Sequence, residues 1–176
     1  MLLLSKMTTP YITTKLSKHD DYMTPKSAWE TIQHLIPKDK TIWEPFYGDG
    51  QSGRDLTSLG FNVIHEDIDF FENDKGEIIV SNPPFSKSKE VLARLRELEK
   101  PFMVIMPTAK INTQYFRKLF CDTKDPIQII IPRKRIHFKK LVDGEPVEGW
   151  KDACAFDCFW YCYKFNLPRD INWLEE

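Results

Sequence analysis

The sequence predicts an α/β fold: an open, mostly parallel sheet with an antiparallel hairpin at its C-terminal edge. Three observations carry that reading. Short apolar runs of β character alternate with amphipathic segments from residue 24 to residue 131, the pattern of a parallel sheet covered by helices. Two β segments then follow with turn chemistry between them, Val142-Asp143-Gly144-Glu145-Pro146, which suits an antiparallel pair. With 176 residues, 41% of them hydrophobic and 29% charged, the chain suits one domain with a real core.

Residues 1–20 are polar and without period, and are expected to form an arm before a domain over 21–165 and a tail over 166–176. Thr24-Pro25 opens a helix, threonine as N-cap and proline in the first helical position, with Trp29, Ile32, Leu35 and Ile36 on one face. Thr41-Ile42-Trp43 is a short strand, residues 52–59 a helix stopped by Gly60, and residues 61–65 the next strand. A turn at Asn73-Asp74-Lys75-Gly76 leads into the strand Ile78-Ile79-Val80, and residues 86–100 form a helix with Val91, Leu92, Leu95 and Leu98 inward. Then come a buried strand over 102–106, a helix over 113–120, a strand from Ile127 running past Pro132 to Phe138, and an aromatic strand over 156–163.

The net charge of −1 excludes a global field for nucleic acid, so any such site must be a local patch. Four cysteines and no signal-peptide pattern fit a reduced, cytoplasmic setting, and Met1-Leu2-Leu3-Leu4 is far too short to span a membrane. Cys154, Cys158 and Cys162 lack CxxC pairing and a histidine at ligand spacing, so buried thiols are expected and no metal.

The chemistry begins at Ser81-Asn82-Pro83-Pro84-Phe85. Two prolines end the strand in a stiff extended corner, since neither can donate to a ladder and each restricts the residue before it. The corner offers the Asn82 amide, the Pro83 carbonyl and the Phe85 ring: acceptors for an NH₂ group beside a stacking surface. Upstream, Glu44-Pro45-Phe46-Tyr47-Gly48-Asp49-Gly50 joins a strand to a helix N-terminus, where glycines let the backbone approach a ligand. Asp67 closes the next strand about 20 residues on, where a ribose-binding acid is expected. No Lys-Ser/Thr follows the glycines, so the loop is not a P-loop.

Those two motifs, in that order, resemble the Rossmann-like class I methyltransferases that use S-adenosylmethionine to modify adenine at its 6-amino group. The similarity covers roughly residues 21 to 163 by element order. Tyr22-Met23-Thr24-Pro25 and Arg135-Ile136-His137-Phe138 make the chain resemble small phage- or virus-borne DNA adenine methyltransferases in particular. The resemblance implies S-adenosylmethionine as cofactor. Glu44, Pro45, Phe46 and the Gly48 and Gly50 backbone would then flank its methionine part, Tyr22 and Thr24 would meet its carboxylate, and Asp67 would take the ribose. Asp69 and Phe70 would lie near its adenine. Only a turn separates Asp69 from the catalytic strand, so the third strand of such a sheet must be very short or irregular.

In that reading Asn82, Pro83, Pro84 and Phe85 are the catalytic corner. Lys87, Arg133, Arg135, His137 and Lys139 would bind the substrate as a phosphate track, with Lys89 and the loop 141–152, including Trp150, beside it. A strand edge guarded by lysines explains the basic run about as well. Sequence preference is expected to be short or weak, or supplied by a partner protein. The expected partner is nucleic acid, DNA in preference to RNA, with no membrane. RNA adenine, a protein glutamine amide and a non-catalytic cofactor-binding subunit are the alternatives. None of His19, His34, His65 and His137 has sequence partners that suggest a triad or a metal site.

Overall fold

In the computed structural model, which describes residues 22–142, 145–146 and 156–175, the elements follow in this order. They are Tyr22–Met23 (β1), Lys26–Ile32 (α1), Thr41–Trp43 (β2), Gln51–Ser58 (α2), Asn62–Ile64 (β3), Ile78–Ser81 (β4) and Ser88–Leu98 (α3). Then come Phe102–Pro107 (β5), Gln114–Phe120 (α4), Ile127–Ile131 (β6), Lys139–Val142 (β7), Glu145–Pro146 (β8), Cys158–Tyr163 (β9) and Ile171–Trp173 (β10). Seven of these strands build the main sheet in the order β3-β2-β4-β5-β9-β6-β10, and β1-β7-β8 build a small antiparallel one. The mostly parallel α/β architecture expected from the sequence is therefore present.

The parallel pairs β2–β3, β2–β4, β4–β5 and β6–β10 put the carboxyl ends of these strands on one edge of the sheet. Strand β9 enters antiparallel to both β5 and β6, so it lies inside the sheet, and β10 takes the edge. Its alternation explains the cysteine spacing. Cys158, Trp160 and Cys162 face one core with Trp29 and Ile32, while Tyr161 and Tyr163 face the other with Leu92, Phe116 and Phe120. A repeat of four is two strand periods. Cys154 lies outside the described residues, as do the expected arm and Trp150.

Local chemistry sets most boundaries. Gly60, at φ +86°, ends α2: its N–H bonds to Thr57 O and the Phe61 N–H to Leu56 O, a Schellman pair. Thr113 caps α4 by accepting from the Phe116 N–H. Three expectations need correction. Thr24 does not cap α1; Pro25 holds the cap position, extended at φ −68° and ψ 146°, and the Thr24 hydroxyl is buried without a partner. Pro132, which has no N–H for the ladder, ends β6 at Ile131, so no strand runs on to Phe138. The chain turns away instead, and β7 pairs with β1 through Tyr22↔Lys140 and Met23↔Lys139. Between β3 and β4 there is no strand at all: Asp69 and Asn73 close a turn, with Glu72 N–H donating to Asp69 O.

Gly53 in α2 is kept small by His65 at the end of β3. A Cβ there would lie 2.2 Å from His65 Cδ2 and 2.7 Å from its Cβ. Alanine usually stabilises a helix interior, but this overlap reverses the sign. Gly53→Ala is expected to cost about 1–3 kcal/mol in a denaturant titration. Gly53→Ala combined with His65→Ala should recover part of that loss, and a Gly53→Ala protein as stable as the parent would refute the contact.

Candidate active site

Strand β4 is buried at all four positions, and Ser81 delivers the chain to Asn82-Pro83-Pro84 at the carboxyl edge of the sheet. A 3₁₀ turn at Phe85–Lys87 follows, held by Lys87 N–H to Pro84 O at 3.1 Å and Ser88 Oγ to Phe85 O at 2.7 Å. The Asn82 amide is held at one end only. Its Nδ2 donates to the Tyr22 carbonyl at 2.9 Å, while its Oδ1 is buried with no hydrogen-bond partner. An acceptor left that way costs about 1–3 kcal/mol. The Tyr22 bond also sets which end of the amide stays open.

The glycine loop lies alongside. Gly48 and Gly50 are left-handed, at φ +57° and +76°, which side chains resist. A Cβ on Gly48 would come 3.2 Å from Met23 Sδ, so β1 packs closely on the loop. Glu44 joins loop to corner. Its Oε1 accepts from Phe46 N–H at 3.0 Å and Ser81 Oγ at 2.5 Å, and its carboxyl also takes the Asn82 N–H. Burial pushes this carboxyl up to about 8, although the bonds from Ser81, Phe46 and Asn82 pull the other way. The Glu44 side chain is thus engaged with protein donors from both motifs. Its backbone carbonyl accepts from His65 Nδ1 at 2.8 Å, and the His65 ring stacks on Tyr47 with centroids 4.8 Å apart. Burial lowers the proton affinity of His65, and its Nε2 has no partner.

Tyr22 brings a third segment to the corner. Its ring stacks on Phe85 at 6.4 Å between centroids, and Phe138 and Phe156 close edge-on against Phe85 at 5.9 and 5.4 Å. Phe85 is consequently 9% exposed and belongs to a core. Pro45 and Phe46 are buried beneath the loop, and Phe70 is buried against Trp43 and Phe46. Asp67 is exposed beyond β3, whereas Asp69 Oδ1 accepts from Phe71 N–H and serves its own turn.

The basic run alternates: Ile136 and Phe138 point inward, while Arg135, His137 and Lys139 are exposed, as is Arg133. Arg135 is also a clamp, with Nε 3.1 Å from Asp157 Oδ1 and Nη2 donating to Phe156 O. Lys87 is exposed at the end of the 3₁₀ turn. Tyr22, Glu44, the glycines, Asn82 and Phe85 therefore come together, Thr24 lies buried two residues on from Tyr22, and Asp69 and Phe70 are held in structural contacts. The sequence reading names Ser81 without giving it a role and reads His65 as incidental. A serine closing the buried run Ile78–Ser81 was a signal for the former; nothing local marked His65.

A structure from Pyrococcus horikoshii, named as a candidate RNA methyltransferase, superposes with a TM-score of 0.52 at 15% identity, covering 86% of this chain and 93% of that one. The fold is the class I methyltransferase fold. A class I S-adenosylmethionine-dependent methyltransferase candidate of Listeria monocytogenes is similar at 14% identity and TM-score 0.49, covering 90% of this chain and 67% of that one. An O-methyltransferase of Thermotoga maritima is similar at 12% identity and TM-score 0.46, covering 78% and 64%. No family model matches the sequence, and no curated protein matches it.

Proposed function

We propose that this protein transfers a methyl group from S-adenosylmethionine to the exocyclic 6-amino group of adenine in nucleic acid, DNA in preference to RNA. The observation that carries the reading is Asn82, whose amide is tied to Tyr22 O while Oδ1 stays buried and unpaired. When bound, S-adenosylmethionine supplies a methyl group on a positively charged sulfur. The residues present suit it: left-handed Gly48 and Gly50 admit a close approach, and the unpartnered Thr24 hydroxyl suits a carboxylate.

Adenine's amine is a weak nucleophile because its lone pair is delocalised into the ring. Asn82 Oδ1 and the Pro83 carbonyl accept its two hydrogens and favour a pyramidal nitrogen, a preorganised electrostatic contribution. Pro83 and Pro84 keep the acceptors in place, so orientation does much of the work. The nitrogen loses its extra proton to water after transfer, and no base is needed beforehand. Phe85 stacks on the target, which must be flipped or unpaired at a cost of a few kcal/mol. Since Tyr22 and Phe156 cover Phe85, one of these rings moves to admit the base.

The decisive experiment transfers labelled methyl to separate DNA, RNA and protein pools and identifies the product after digestion. N6-methyladenine from DNA is expected; label in RNA alone moves the substrate to the alternative nucleic acid. A protein that binds no S-adenosylmethionine would refute the activity altogether. Phe85 gives a second check. Phe85→Ala should weaken turnover by about 1–3 kcal/mol of lost stacking, while Phe85→Tyr and Phe85→Trp retain most of it. Equal activity in all three would exclude stacking.

A further inference from the structure

We propose that the cleft between α1 and residues 132–137 holds the nucleotides flanking the target base. This rests on the nucleobase reading above and adds to it a site for the substrate's flank. The cleft has a volume of about 460 Å³. That lies within the roughly 300–1,000 Å³ of small-molecule sites. Pro25, Ala28, Ile136 and Leu174 give it apolar walls, and Arg133, Lys134 and His137 stand exposed along one side. Apolar walls beneath a basic rim are the composition a base with its phosphate requires. Glu175 is the acid among the lining residues.

Position ties the cleft to the corner. Strands β4, β6 and β10 end at the same edge of the sheet, and β6 lies three places from β4. At about 4.8 Å per strand, Ile131 stands roughly 14 Å from Ser81 along that edge and β10 roughly 19 Å. The latter is about five to six nucleotide steps of 3.4 Å. The walls are continuous with the aromatic cluster. His137 lines the cleft, and its neighbour Phe138 packs on Phe85 and Tyr22; Pro25, on the α1 side, follows Tyr22 by three residues. Pro132 turns the basic run out of the sheet there, which lays it open along the edge.

The test measures methyl transfer to short DNA and RNA oligonucleotides containing one adenine, with S-adenosylmethionine affinity measured separately. Ser27 is an exposed lining residue, so Ser27→Trp fills the cleft from its rim. Ser27→Trp and Lys134→Glu should each raise the oligonucleotide KM about tenfold or more, with S-adenosylmethionine binding unmoved. Lys134→Ala should lower the salt slope of oligonucleotide binding by about one. Unchanged KM in both Ser27→Trp and Lys134→Glu overturns the cleft while leaving the nucleobase reading intact. Displacement of the oligonucleotide by a polyglutamate peptide of equal charge overturns it too, because the site would then answer to charge alone. A parent protein that methylates no oligonucleotide removes the nucleobase reading and the cleft with it.

Discussion

Replacing Asn82 with alanine should reduce methyl transfer by about 10²–10³-fold or more while leaving S-adenosylmethionine binding largely intact. The side chain bonds to Tyr22 O through Nδ2 and contributes no bond within the glycine loop, so its loss leaves the loop standing. What disappears is Oδ1, an acceptor with no partner in the protein. Asn82→Asp separates orientation from acceptance. It keeps an acceptor oxygen but loses the donation to Tyr22 O and sets a carboxylate against that carbonyl. Its turnover should fall between those of the parent and Asn82→Ala. Single-turnover kinetics at saturating S-adenosylmethionine would read the effect on transfer alone. Full turnover by Asn82→Ala would sink the mechanism.

The corner was readable because its information is local. Consecutive prolines dictate backbone shape, and an asparagine before them has few other uses at the end of a buried strand. The same holds for the left-handed glycines of the loop and for the Gly60 stop. What could not be read is what depends on partners distant in sequence. Tyr22 and Lys140 pair across the whole domain, and that pairing takes the Arg133–Lys139 region away from β6 and places Phe138 on Phe85. An apolar run interrupted by one proline looks like one strand until the competing edge, β1, is known. The aromatic strand β9 looks the same from its sequence at an edge or between β5 and β6; only its burial on both faces distinguishes them. His65 shows a sharper limit. Its place depends on a glycine in a neighbouring helix and on a carbonyl 21 residues away.

Glu44 should make the stability of the protein fall as pH rises from about 4.5 to about 8. Its carboxyl has an ordinary value of 4.5 and is pushed up to about 8 by burial, so the folded chain keeps a proton that the unfolded chain has released. Unfolding then releases a proton throughout that window, and stability declines by about 1.4 kcal/mol per pH unit. The full effect is on the order of 5 kcal/mol, complete below the unfolded value and lost by the folded one. His65 opposes it in the lower part of the window: burial lowers its proton affinity in the folded chain below the ordinary 6.5, so this group makes stability rise with pH up to that value. Glu44→Gln carries no charge at any pH and still presents an oxygen to Ser81 Oγ and Phe46 N–H. Its stability should be flatter across the window, so the two proteins converge or cross toward pH 8. Glu44→Ala should differ in kind. It strands the Ser81 hydroxyl and the Phe46 and Asn82 N–H groups, each costing about 1–3 kcal/mol if water does not replace the carboxyl. Denaturant titrations from pH 5 to 9 decide the matter: parallel curves for the parent and Glu44→Gln would show that the buried carboxyl does not titrate with folding. Because the Asn82 N–H is one of its donors, Glu44→Ala should also lower turnover at pH values where the variant is still fully folded. The buried Glu44 carboxyl is held between the glycine loop and the corner, with the Phe46 N–H donating to it from one and the Ser81 hydroxyl from the other.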